Sequence, residues 1–401
     1  MSTRTLSRAL AALLLVIAAG TRAADVQIPA ELKQEATAAI SRGARYLVQN
    51  QNADGSWGRM KHPAIAAFCV MALHEADGVD ATKRRAAIAK GMEYINGFVQ
   101  DDGSIYPAQT HEKHPNVSAL YPNYTTSVVL LCYATLQRKE DIPRMRKARA
   151  YLKSIQFQDE GKVDYGGIGY GKTRRADLSN GSFAAEALHF TEYLDEEPYS
   201  NDPKLQKQNS KMWKAFSQFV TKTQNLPGHN DQPYVSKDPR DRGGFIYRPF
   251  ESKAGSRDGE GETTALISSG SMTYAGLKSM LYAGLERDDP RVRAAMDYLM
   301  RNYTLTENPG MALQGHYFYL HVMTRALQAY GQEVVTDADD NKHRWRQEVI
   351  RQFLKMQKDD GTWANPNGRY FESSPVLATS YALMTMKDAL REAPLPAKTT
   401  P

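Results

Sequence analysis

Cysteine is nearly absent from this chain of 401 residues. There are two, Cys69 and Cys132, and neither belongs to a C-x-x-C or zinc-ribbon spacing. Both sit in apolar helical runs (AAFCVMAL and VVLLCYATL), where a buried free thiol is the expected state. A disulfide between them stays open, provided their Cα atoms approach within about 7 Å. Dense basic runs are also missing, so the net charge of +6 gives little support to nucleic-acid binding. The one conspicuous apolar stretch, Ala9 to Gly20, is shorter than the roughly 20 residues a membrane-spanning helix needs. With 41% hydrophobic and 24% charged residues, the composition excludes both a polytopic membrane protein and a disordered chain.

The apolar stretch has another use. Arg4 and Arg8 precede it, and Thr21-Arg22-Ala23 follows as a small-x-small site. Residues 1–23 therefore read as a secretory signal peptide, and the mature protein is expected to be periplasmic or secreted, with an uncleaved anchor as the alternative. Cleavage would remove three arginines and no acid, lowering the net charge from +6 to +3. Residues 392–401 read as a flexible tail.

Between these ends the chain repeats itself. Arg42-Gly43-Ala44-Arg45-Tyr46-Leu47 leads to Gln51 and then Asp54-Gly55-Ser56-Trp57. Lys90-Gly91 leads likewise to Gln100 and Asp102-Gly103-Ser104, the helix at 147–152 to Gln156, and Arg351-Gln352-Phe353-Leu354 to Gln357 and Asp360-Gly361-Thr362-Trp363. Weaker copies lie at 293–299 and 204–224. Each is an amphipathic helix stopped by a glycine turn. After each comes a more apolar helix carrying a small-Leu step: Ala72-Leu73, Thr135-Leu136, Ala187-Leu188, Gly276-Leu277, Ala326-Leu327 and Ala382-Leu383. Helices apolar on most sides must be buried. The expected fold is all-α: an (α/α)6 toroid of six helical hairpins over 24–391, apolar helices inside and amphipathic ones outside. An open solenoid is the alternative. The longest interval separates Leu188 from Leu277 and locates an insertion at 226–261, a long loop in which Gly243 to Phe250 alternates like a short β-hairpin.

The pattern [K/R]-G-x-x-[Y/F]-L-x-x-x-Q-x-x-x-G-x-W fits residues 42–57 in full and 90–106 and 351–363 in part. It resembles the QW-type repeat of the squalene–hopene and oxidosqualene cyclases, a superfamily shared with protein prenyltransferase β-subunits. The resemblance implies an α/α toroid whose apolar interior often holds an isoprenoid. It also implies motifs that are missing here. The cyclase acid stretch D-x-D-D-T-A has a look-alike in Asp337-Ala338-Asp339-Asp340, but an outer helix follows it, so a solvated loop is expected. The positional equivalent is Asp177-Leu178-Ser179-Asn180, where one acid remains. Asp177 is thus either a weakened catalytic acid or a helix N-cap. The Asp-x-Cys zinc step of the prenyltransferases is absent, as is a D-D-x-x-D diphosphate motif. The loop 337–348 mimics a calcium loop, but Lys342 stands where glycine is needed. No metal and no cofactor are expected. His111-x-x-His114 lacks an obvious third ligand.

The loops entering the inner helices should share one rim, rich in Tyr, His and charged residues. Candidate ligand contacts there are Tyr124, Asn180, Tyr247, Arg248, Glu262, His316, Tyr317 and Glu372. Tyrosines that merely tie loops down are the competing account. Glu186 and Arg325 should lie at similar depth inside the ring, as an ion pair, with separate partners such as His189 and Lys278, or as a polar floor. Three functions compete. The favoured one is an exported binding or scaffold toroid that has lost the known catalytic motifs and takes an isoprenoid, lipid or glycan at this rim. The second is a class II terpene cyclase with Asp177 as acid. The third is a glycosidase or lyase, which needs two carboxylates about 5–9.5 Å apart; Asp177, Glu262 and Glu372 are available.

Overall fold

The computed structural model describes residues 27–107, 121–171, 175–258 and 264–391. The expected signal peptide, the expected tail at 392–401, His111, His114 and Glu262 lie outside the described residues. Among these residues there are twelve α-helices in six hairpins. The outer members are α1 (Ala30–Gln49), α3 (Ala81–Asn96), α5 (Ile142–Ser154), α7 (Pro203–Lys222), α9 (Pro290–Arg301) and α11 (Trp345–Met356). The inner ones are α2 (Pro63–Leu73), α4 (Pro122–Leu136), α6 (Leu178–Phe190), α8 (Gly270–Tyr282), α10 (His316–Tyr330) and α12 (Pro375–Leu390).

Their starts are written locally. Asp80, Asp202 and Asp289 each accept a backbone N–H as N-cap, and proline opens α2, α4, α7, α9 and α12 in the first turn, where its missing N–H costs nothing. The inner helices are buried nearly all round: ten of the eleven residues of α2 and twelve of the thirteen of α8 are inaccessible. Each inner helix packs on the next, and α12 returns to α2. The ring is closed.

One clip recurs around the outside. Gln51 donates from Nε2 to its own turn at Gly55 O (3.0 Å) and to Ala87 O in the next outer helix (2.9 Å). Gln156 does the same with Gly166 O and Met212 O, Gln224 with Gly243 O and Arg291 O, and Gln357 with Gly361 O and Ala39 O. The last of these ties the sixth hairpin to the first. Gly55 has φ +89°, and a Cβ there would stand 2.3 Å from Lys90 O, so no other residue fits this approach. Trp57 and Trp363 donate from their indoles to Leu47 O and Phe353 O. Their rings pack where a Cβ on Gly91 or Gly43 of the neighbouring outer helix would be.

The insertion departs from the expected pattern. Phe245 bridges Gln224 on one side and Ser269 on the other, while the antiparallel pair lies later, β1 (Ser256–Asp258) with β2 (Thr264–Leu266). The alternation at 243–250 reflects Phe245 and Ile246 turning into the body of the protein, not a hairpin. The loop at Asp337 sits in the tight turn of β3 (Val335–Thr336) and β4 (Lys342–His343). The Asp337 carboxylate accepts from Asn341 and pairs with His343 at 2.9 Å, a solvated loop remote from the inner helices' starts. Both cysteines are buried free thiols.

Candidate functional site

Because outer and inner helices alternate strictly, all six inner helices begin at one mouth of the ring. A cavity of about 370 Å³ opens there. Its wall is aromatic: Phe68 of α2, Tyr124 of α4, Phe183 of α6, Phe318 of α10 and Tyr381 of α12. Tyr124 meets Phe183 edge-on at 5.1 Å, Phe183 stacks on Phe318 at 5.9 Å, and Phe68 lies 5.0 Å from Tyr381. Burial raises the Tyr124 and Tyr381 hydroxyls above the ordinary tyrosine value, so both stay neutral hydrogen-bonding tips on apolar bodies.

Of the candidates from the sequence, Tyr124, Asn180, Tyr247 and Glu372 line this cavity. Glu372 is its single carboxylate among the described residues. Glu372 reaches across to the start of α10, where it accepts from Tyr317 N (3.1 Å) and Phe318 N (2.8 Å) as well as Asn365 Nδ2 (2.8 Å). Burial nevertheless raises its pKa. Asp177 stands behind the wall. It is 1% exposed and caps α6, accepting from Asn180 N at 2.8 Å and Asn180 Nδ2 at 2.9 Å. Burial pushes its pKa up to about 7, although the Asn180 bonds and the nearby Arg248 pull the other way. Tyr247 connects this acid to the cavity, since its hydroxyl interacts with Asp177 and lies 3.4 Å from that of Tyr170.

The other rim candidates serve the framework. Arg248 pairs with Glu251 at 2.5 Å. His316 Nε2 meets Leu305 O at 2.9 Å, and Tyr317 packs against Phe353 of α11. Sequence reasoning missed Lys253, which lies over the Tyr247 ring at 4.5 Å, and Arg369, 5.2 Å from the Tyr370 ring. Both line the cavity. Apart from Tyr124, it also missed the aromatic wall, whose residues look like ordinary core in a helical run.

A second cavity, about 310 Å³, opens at the opposite mouth and shares Phe68 and Phe183 with the first. Those two rings form a waist. Beneath it lie Glu186 and Arg325, brought together in a buried network. Glu186 bonds Lys278 at 2.5 Å, and Arg325 Nε lies 3.7 Å from Glu186 and 2.9 Å from Asp388. The two cations hold the Glu186 carboxylate down at about 2 despite its burial. Lys278 also sits 5.9 Å from the Phe183 ring, so the charged floor supports the aromatic one.

Among the described residues no group of His, Cys, Asp and Glu could hold a metal, and no helix is long and apolar enough to cross a membrane. No family model matches the sequence, and no curated protein sequence matches it either. Solved structures do. A variant of the type II terpene cyclase MstE from Scytonema, in complex with its product merosterolic acid A, is similar over 90% of this chain and 99% of its own, at 13% identity and TM-score 0.51. Another variant, with its substrate geranylgeranyl dihydroxybenzoate, matches over the same shares at 12% identity and TM-score 0.50. A glycosidase superposes less well, over 91% of this chain and 99% of its own, at 11% identity and TM-score 0.47. At such identities the two cyclase likenesses establish the fold alone, and that fold is the α/α toroid found in a terpene cyclase.

Proposed function

We propose that this protein is an exported toroid that binds an apolar, isoprenoid-like or other lipid ligand in the aromatic cavity at the mouth where the inner helices begin. The cavity wall carries this reading: five converging aromatic rings and a single carboxylate already engaged by three donors. Such a wall desolvates hydrocarbon. A glycosidase needs a second carboxylate facing the first across the substrate, and among the described residues none joins Glu372 on the wall. The ligands in the MstE structures, a product and a prenylated substrate, belong to the chemistry this cavity suits.

Catalysis is the second reading, favoured by one observation. Asp177, with its pKa near 7, is partly protonated at neutral pH, and Tyr247 links it to the cavity. Extraction and mass spectrometry of the purified mature protein tests the first reading. A copurifying terpenoid or other lipid supports it; a bound sugar, or failure to bind any polyprenyl probe, sinks it. Incubation with a polyprenyl substrate separates the two: a cyclised product that disappears in Asp177→Asn identifies a cyclase, and unchanged ligand recovered from both proteins identifies a binder.

A further inference from the structure

A third cavity shares no residue with the other two. It is a groove of about 320 Å³ on the outer wall, between the insertion and α9. The Gln224 clip shapes it. Gln224 donates to Gly243 O and Arg291 O, while Asn225 N donates to Gly244 O and Asn225 O accepts from Gly243 N, both at 2.8 Å. Gly243 passes so close to α9 that a Cβ on it would stand 1.9 Å from Ala294 O. The chain leaves this neck at Leu226 and returns to it at Gly243, and the groove is the space between the excursion and α9. The first turn of the excursion is locked, with His229 N and Asn230 N both donating to Leu226 O (3.1 and 3.0 Å). Backbone bonds thus hold both walls, and a ligand need not order them.

Arginine dominates the lining. Arg293, Asp297 and Arg301 recur every four residues on one face of α9, and Arg242 stands opposite on the insertion. Arg301 Nη2 reaches across to Arg242 O at 2.6 Å. All three arginines are exposed. Asp297 lies one turn from both helical arginines, where a carboxylate ordinarily pairs. Yet among the described residues none of the three arginines forms an ion pair. Asp289, at the start of the helix, is occupied by Arg291 at 2.7 Å. Counting His229 as neutral, three arginines against one aspartate leave two positive charges on the groove. A phosphate monoester carries about −1.5 to −2 at neutral pH and three acceptor oxygens, which guanidinium forks match. A carboxylate or a sulfate ester, with a single charge, leaves the remainder uncompensated. His229 is the one ring in the lining on which a base could stack, which favours a sugar-sized body over a nucleotide. We infer that this groove is a binding site for a phosphate monoester, of the kind a phosphorylated sugar carries. The inference stands apart from the reading of the aromatic cavity.

Isothermal titration calorimetry of the purified protein tests the inference, with glucose-6-phosphate, inorganic phosphate, glucose-6-sulfate and glucose as probes. Glucose-6-phosphate should bind with a Kd below about 1 mM at low salt, and more weakly as salt rises. Glucose should not bind. Arg293→Gln combined with Arg301→Gln should weaken glucose-6-phosphate binding about tenfold or more. Asp297→Asn removes the groove's one acid and should tighten binding severalfold. These opposite signs distinguish a charged site from a folding defect, and an unchanged melting temperature verifies the arginine pair. Tighter binding of glucose-6-phosphate than of inorganic phosphate supports the site and assigns it to the sugar ester. Equal binding of the two supports it and assigns it to the free ion. No binding of either phosphate, binding that the arginine pair leaves unchanged, or glucose-6-sulfate bound as tightly as glucose-6-phosphate overturns the inference.

Discussion

At the residue scale, Asp177 has the most legible chemistry. An acid whose folded pKa lies near 7, against about 4 in an unfolded chain, takes up a proton when the protein folds between those values. The contribution of Asp177 to folding stability therefore falls as pH rises from about 4 to about 7 and levels off above, while His62 and His321, whose pKa values burial lowers, contribute in the opposite sense. The full shift corresponds to a loss on the order of 3–4 kcal/mol. Asparagine at 177 would accept the Asn180 N–H in the same way. Its own amide could donate to Asn180 Oδ1, which has no partner in the wild type. Denaturant titrations at pH 5 and pH 8 should show Asp177→Asn gaining stability relative to the wild type between the two, and more stable than it at pH 8. A difference between the two proteins that does not change with pH would refute the assignment.

The elements are held by the glutamine clips, and these differ usefully. Gln224 joins α7's turn to α9 through Gly243 O and Arg291 O. Among the described residues, Gln100 bonds only within its own turn, to Phe98 O and Tyr106 O. Gln224→Ala should cost about 2–3 kcal/mol, because two buried carbonyls lose their donor. Gln100→Ala should cost about 1 kcal/mol in the same urea titration. Sequence reasoning could read the hairpins, the inner and outer assignment and the turn glycines, since 3.6-residue periodicity and glycine are local signals. Gln51, Gln156 and Gln357 were equally readable from their position at a helix end. Gln224 was not, because it stands 19 positions from Gly243 where Gln51 and Gly55 are four apart. The cavity was hidden for a different reason. Phe68, Phe183 and Phe318 follow the same period as core residues, and only ring closure decides that they face one another across a space. Tyr124 and Glu372 were accessible because a polar group at the start of a buried helix is conspicuous. Asp388, which completes the Glu186–Arg325 network, lies on α12 with nothing nearby in sequence to mark it.

At the scale of the whole molecule, closure matters most. An open stack of hairpins can fray from either end. Here Gln357 is bonded to Ala39 O, and Trp363 packs against Gly43, so the last hairpin is a neighbour of the first. Three of the four tryptophans, Trp57, Trp345 and Trp363, are fully buried in the first and sixth hairpins, and the fourth, Trp213, is partly buried on α7, so fluorescence weights the closing seam whereas circular dichroism reports all twelve helices. Tryptophan fluorescence and far-ultraviolet ellipticity should give one coincident transition in urea. Substitution of Trp363 by alanine should shift both probes together. Two separated transitions would show that the ring opens before it melts.

Parallel inner helices have a consequence for the field along the ring's axis. Six peptide dipoles point the same way, so the aromatic mouth carries the positive ends and the opposite mouth the negative ends. Two ionised groups meet these helix ends directly. The Glu372 carboxylate binds free N–H groups at the aromatic mouth. At the far mouth Lys387 donates to Met71 O (2.8 Å) and His74 O (2.5 Å), the carbonyl end of α2, with Arg325 nearby. The toroid is an electrically directed tube, and a ligand with one anionic end would enter it with a preferred orientation, its charge held at the aromatic mouth.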